Sequence, residues 1–233
     1  MVSVITTLYN YRKFITEAII SFKQQDFADS EMIIVDDASV DDPYQVIKPY
    51  ISNKIKYIRL DINRGYSHAK NVGISASSGD LLVMLDADDM LTKDGISIRY
   101  NKIMEGYDFV HGPSLDLKNG ITTRTKMWGQ WLGTKSYKYV HAQGVMLKKS
   151  IHSKIGLYDE NLWCKSDREM FARIFNHNFK IGFVDKDVSI YRHHDRQMHK
   201  SKKKLAVNDQ LQQQLKNLIN KRKKDLSGLE MLI

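Results

Sequence analysis

Residues 78–89 read SGDLLVMLDADD: the apolar run Leu81, Leu82, Val83, Met84, Leu85 has no polar interruption and leads straight into Asp86, Asp88 and Asp89. Such a run, too short for a helix of its own and apolar on both alternating sets of side chains, predicts a central strand covered on both faces, as parallel sheets require. Working outward, residues 2–9 (VSVITTLY) predict a second buried strand. Residues 31–35 predict a third that ends at Asp36-Asp37, and residues 56–60 a shorter fourth. Between them lie helical stretches. Over 13–25, Phe14, Ile15, Ala18, Ile19 and Phe22 recur at spacings of three and four; further helices are expected over 41–51, with Pro43 in the first turn, and over 66–77. Strands alternating with helices give an α/β class with a mostly parallel central sheet flanked by helices.

Beyond residue 90 the pattern changes. A helix is expected over 92–105, then a β-hairpin made of 108–117 and 121–126 around Asn119-Gly120, the dipeptide of a type I′ turn, which supplies a small antiparallel element. Residues 127–140, with Trp128, Trp131, Tyr137 and Tyr139, show no period and read as a loop. Strands over 142–147 and 180–184 enclose a helix over 166–176, and residues 209–224 form an amphipathic helix with Leu211, Leu215, Leu218 and Ile219 on one face.

The chain has 233 residues, 42% hydrophobic and 27% charged, with 13 Gly and 3 Pro, which excludes wholesale disorder and collagen-like or Pro/Gly-rich classes. No apolar run is long enough to cross a bilayer, the first residues read as a strand and not as a signal peptide, and the lone Cys164 suits a reducing compartment, so the cytosol is the expected location. The net charge of +9 is uneven: residues 201–233 carry eight Lys/Arg against three acids, leaving +4 for the first 200 residues. This basic extension is either a solvated face or a surface for nucleic acid or for an anionic membrane, the latter placing the protein at the inner face of the membrane.

The chemistry is concentrated in carboxylates at the carboxyl ends of predicted parallel strands, Asp36 and Asp37 after one and Asp86, Asp88 and Asp89 after another. In open α/β sheets ligands sit at that edge. Crowded carboxylates repel one another unless a cation neutralises them, and an oxygen-rich shell with open positions suits Mg²⁺ or Mn²⁺ bound through a diphosphate. The same acids would equally suit the N-cap of a helix beginning near residue 92.

Eight pieces occur in order: VSVITTLYN, QQDF, MIIVDDAS, NRGYSHAKNVGI, SGDLLVMLDADD, QGVMLKKSIHSKIGLYDENL, SDREMFARI and YRHH. Together they resemble the family-2 glycosyltransferases of the GT-A fold, over nearly all of residues 2–201. The resemblance implies one GT-A domain over 1–200, its nucleotide-binding half about 1–110 and its acceptor half about 111–200, with 201–233 as an extension. It implies transfer of a sugar, with inversion, from a nucleotide-sugar donor, usually a UDP-sugar, to an acceptor hydroxyl. Thr7 and Tyr9 match nucleobase positions and Asp37 can accept the uracil N3–H, while Arg64 and Lys70 match basic positions near the nucleotide and diphosphate. Asp86 would face the ribose or a metal-bound water, Asp88 would hold Mn²⁺ or Mg²⁺, Asp89 would orient the loop, and His194 would complete the metal shell. Asp167 matches the catalytic base, with Ser166 where the family carries a glutamate and Glu169 in reserve. Gly65 and Gly73 serve either ligand approach or turn and packing. Residues 156–162 resemble the acceptor-side segment, and Trp128, Trp131 and Trp163 are candidates for a stacking floor. The acceptor is a saccharide or surface-glycan precursor, a hydroxylated base in DNA, or, for a catalytically inactive sugar-nucleotide-binding module, none.

Overall fold

The computed structural model describes residues 1–124, 140–162 and 166–197. The elements run β1 (Val2–Leu8), α1 (Arg12–Lys23), β2 (Ser30–Asp36), α2 (Tyr44–Ile47), β3 (Ile55–Arg59), α3 (Tyr66–Ala76), β4 (Leu81–Asp86), β5 (Met90–Leu91), α4 (Gly95–Met104), β6 (Phe109–His111), β7 (Ser114–Lys118), β8 (Ile121–Arg124), β9 (Val145–Lys148), α5 (Ile151–Ile155), α6 (Ser166–Phe175), β10 (Ile181–Phe183) and β11 (Ser189–Arg192). The main sheet has the order β10-β6-β9-β4-β1-β2-β3. Within it only β9 runs against its neighbours β4 and β6, so the mostly parallel α/β expectation holds.

Alternation along the strands divides the core. Val4, Met32, Ile34 and Val83 face one side with Ile15, Ile19 and Phe22 of α1 and Ile96 and Ile103 of α4. Ile5, Ile33, Leu82 and Met84 face the other with Ala69 and Ile74 of α3 and Met170, Phe171 and Ile174 of α6. Both faces of the central strands are covered, which is why their sequences carry no polar stripe. Gly73 lies where α3 presses on β1, since a Cβ there would run into Ile5.

A smaller sheet, β5-β11-β7-β8, stands beside the carboxyl end of β4. Asn119 (φ 51°) and Gly120 (φ 78°) close the β7–β8 hairpin in the left-handed conformation a type I′ turn demands. The expected first arm of that hairpin is two strands in different sheets. Gly112 and Pro113 interrupt it: Gly112 packs where a Cβ would meet Val184 and Val188, and Pro113 has no N–H for a ladder. The expected helix over 41–51 is α2 followed by a 3₁₀ turn, Lys48–Tyr50, because Pro49 cannot donate an intrahelical bond. The first residues of the strand expected over 142–147 form another 3₁₀ turn, Ala142–Gly144. Among the described residues no helix is long and apolar enough to cross a membrane. The expected loop over 127–140, apart from its last residue, Trp128, Trp131, Trp163, Cys164 and the basic extension with its helix lie outside the described residues.

Candidate active site

The carboxyl ends of β1, β2 and β4 lie side by side, with Thr7 in register with Asp86 on one side and Val35 on the other. Just past β1, Tyr9 is half exposed, its ring free to meet a ligand. Past β2 the two aspartates divide the work. Asp36 is sealed and accepts hydrogen bonds from the Ser39 amide (2.9 Å), the Tyr57 hydroxyl (2.6 Å) and Arg59 (2.6 Å), a structural network. Asp37 accepts the Arg64 amide through one oxygen and the Gly65 amide through the other, each at 2.8 Å. Gly65, at φ 92°, makes that turn possible just ahead of α3, so it is a turn glycine and Gly73 a packing glycine. The exposed Arg64 side chain acts electrostatically on Glu160, whose carboxyl is held down mainly by hydrogen bonding from Asn71 and secondarily by His68.

The acids after β4 do not cap a helix, because β5 follows them and α4 begins only at Gly95. They are arranged by β11 and the turn after it. The Arg192 amide donates to Asp89 Oδ1 (2.9 Å) and its Nε to the Asp88 carbonyl (3.0 Å), so Asp89 does tie the loop in place. His194 Nε2 lies 2.9 Å from Asp88 Oδ2, with Phe14 and Tyr11 rings packed on the imidazole at 4.5 and 5.4 Å. Asp89 Oδ2 is buried without a hydrogen-bond partner among the described residues. Burial above all, then Asp88 and Asp86, raise the Asp89 carboxyl well above its ordinary range. This is an acid cluster whose cost a cation would relieve. Among the described residues no three His, Cys, Asp or Glu side chains form a metal cage. Asp88 and His194 alone offer one oxygen and one nitrogen, a set that fits a divalent cation sharing its remaining positions with phosphate oxygens.

Asp86 joins this cluster to the opposite wall. Its Oδ1 accepts the Tyr66 hydroxyl at 2.8 Å. Burial pushes its carboxyl up most, Lys70 pulls it back, Asp88 adds to the rise, and Tyr66 and Asp167 contribute less. Asp86 therefore sits within electrostatic reach of both Asp88 and Asp167. Asp167 is partly exposed in the first turn of α6; Glu169, two residues on in the same turn, is sealed and gripped by Arg173 Nε (2.9 and 3.1 Å) and Nη2 (2.9 Å). Glu169 has no access to an acceptor and is a structural acid.

The family model for glycosyl transferase family 2 matches residues 3–158. The chain belongs to this family. A Campylobacter jejuni relative, a GalNAc(5)-diNAcBac-PP-undecaprenol β-1,3-glucosyltransferase, is 36% identical over 121 residues, 51% of this chain and 39% of the relative. The solved structure of Staphylococcus aureus TarS 1-349 with UDP-GlcNAc superposes with a TM-score of 0.75 at 23% identity, covering 86% of this chain and 60% of that one. A mannosyltransferase, PcManGT from Pyrobaculum calidifontis, solved with GDP-Man and Mn²⁺, gives 0.72 at 18% identity, covering 85% of this chain and 58% of that one. The chain thus spans well under two thirds of these proteins, and the two structures show its fold.

Two features of this family-2 site escape a reading by motif. Tyr66 and Tyr158 enclose Lys70, and the only local signal was the spacing of Tyr66 four residues ahead of Lys70 on one helix face. Arg192 lies within YRHH, and its grip on Asp88 and Asp89 depends on β11, which has no strong pattern of its own.

Proposed function

We propose that the chain is an inverting glycosyltransferase that moves a sugar from a UDP-sugar to the hydroxyl of a saccharide or surface-glycan precursor. The observation that carries this reading is that Asp86 interacts electrostatically with both Asp88 and Asp167, which supports a donor held near the first within reach of a base at the second. Tyr9 stacks the uracil beside Thr7, and Asp37, whose oxygens each keep a lone pair after accepting one amide, takes the N3–H. Arg64 offsets the charge of the nucleotide. Asp86 holds the ribose. Asp88 and His194 would hold Mn²⁺ or Mg²⁺, which when bound supplies positive charge to the diphosphate as it leaves. Asp167 accepts the proton of the acceptor hydroxyl as that oxygen attacks from the face opposite the diphosphate. Tyr66 and Tyr158 form an apolar flank that strengthens these electrostatic contacts by excluding water.

Incubating the full chain with a panel of UDP-sugars, Mn²⁺ and saccharide acceptors should release UDP and give a product of inverted anomeric configuration by NMR. Nucleotide-sugar binding without turnover on any pairing would instead make it a binding module.

A further inference from the structure

Arg99 and Lys70 are the two bulkiest side chains sealed from solvent, and their surroundings differ. Arg99 donates to the carbonyls of Gly95, Gln143 and Val145. The Lys70 ammonium has no hydrogen-bond partner among the described residues. It rests against two rings, 4.0 Å from the centroid of Tyr66 and 5.0 Å from that of Tyr158. Cation–π contact offsets only part of the cost of burying an ammonium, so opposite charge has to supply the rest.

That charge comes from two acids. Burial pushes the Lys70 ammonium toward losing its proton, and Asp86 and Asp167 are the groups that oppose it. The ring under Lys70 is itself bonded to one of them through the Tyr66 hydroxyl. The other ring belongs to the acceptor-side segment, which is pinned to α3 next to Lys70: Asn71 donates to the Tyr158 carbonyl and accepts its amide, both at 2.9 Å. Asp88 and Asp89 act instead, together with Asp86, on Tyr11 and Tyr191.

We propose that Lys70 is a positioning residue, a buried counter-charge shared by Asp86 and Asp167 that holds the donor-side acid and the acceptor-side acid in one site without touching the phosphates. Its functional half rests on Asp167 being the base; its structural half does not. With the lysine gone, the two carboxylates lose the positive charge that holds them in one site.

The structural half is tested by a double-mutant cycle in denaturant, on the full chain, with Lys70→Met, Asp167→Asn and the pair. Lys70→Met should lower the folding equilibrium constant by at least about fivefold more in the wild-type background than beside Asp167→Asn, as expected for coupled charges. Additive costs would overturn the proposal. If Lys70→Met does not fold, the same cycle is run with Lys70→Gln. The functional half is read by calorimetry of UDP with Mn²⁺ and by the rate of UDP-sugar turnover. Lys70→Met should lower the rate at least about tenfold while UDP affinity, which Lys70 reaches only through Asp86, falls by less than about threefold, and Lys70→Arg should recover part of the rate. A matching loss of UDP affinity would make Lys70 a phosphate ligand and refute the proposal. Because the cycle reads folding alone, a wild type without transferase activity would defeat the functional reading while leaving the coupling measurable.

Discussion

Asp167 and Glu169 stand in the same turn of α6 and meet opposite fates. A carboxylate with both oxygens locked to a buried guanidinium is committed to structure, whereas a partly exposed one is open to a substrate. Glu169 also places the acceptor-side turn, since its partner Arg173 donates to the carbonyls of Ile155, Gly156 and Leu157. Removing one member of such a pair leaves an uncompensated charge inside the protein. Glu169→Ala is therefore expected to cost about 3 kcal/mol of unfolding free energy, measured by urea denaturation, with Asp167→Asn costing less than about 1 kcal/mol. Equal costs for the two substitutions would mean that the helix does not separate structural from chemical acids in this way.

Among the elements, the contact between α3 and residues 157–162 joins the two halves. Asn71 pairs with the Tyr158 main chain as a strand would, and also donates to Glu160, which lies 2.9 Å from His68. Asn71→Ala would leave a buried amide and carbonyl unpaired, a loss of about 1–3 kcal/mol, and should raise the acceptor KM while UDP affinity stays near wild type. The strands that carry the donor side were legible from sequence to within two residues, because burial on both faces leaves an unbroken apolar run. The clusters at their ends were legible because acids following such runs have few structural uses. What local pattern could not show is long-range. Arg99 bends residues 142–144 into a 3₁₀ turn by drawing the carbonyls of Gln143 and Val145 onto its guanidinium, and β11 exists only because β5 and β7 flank it. Lys70 reads in the sequence as a basic position near the nucleotide and diphosphate; only the packing of Tyr158 from far along the chain encloses it.

For the molecule as a whole, acid sensitivity follows from groups remote from the site. Burial pushes His111 down to about 4 from 6.5. Burial would raise Glu31, but Lys56, the Ser78 amide and the Ser3 hydroxyl overcome it and hold the carboxyl at about 2, against 4.5 when unfolded. Both folded values lie below the unfolded ones, so both contributions are complete above pH 6.5; His111 loses its share between pH 6.5 and 4, and Glu31 between 4.5 and 2. Thermal melts should fall in that order, and Glu31→Gln should flatten the lower segment at a cost of about 2 kcal/mol near neutral pH. A pH profile unchanged by Glu31→Gln would remove that carboxylate from the account. At this scale too, the basic extension of residues 201–233 makes the acceptor question tractable. On the glycan reading, the full chain should bind anionic vesicles in a salt-sensitive way that a 1–200 truncation loses. Truncation-sensitive binding to duplex DNA with none to vesicles would favour a nucleic-acid acceptor.

On the proposed function, donor-side and acceptor-side acids divide binding from chemistry. The most direct test compares wild type with Asp167→Asn in UDP-sugar turnover and, on the same samples, in UDP affinity with Mn²⁺. The account predicts a rate lower by at least about a hundredfold with UDP affinity within about twofold. Turnover retained in Asp167→Asn would contradict it.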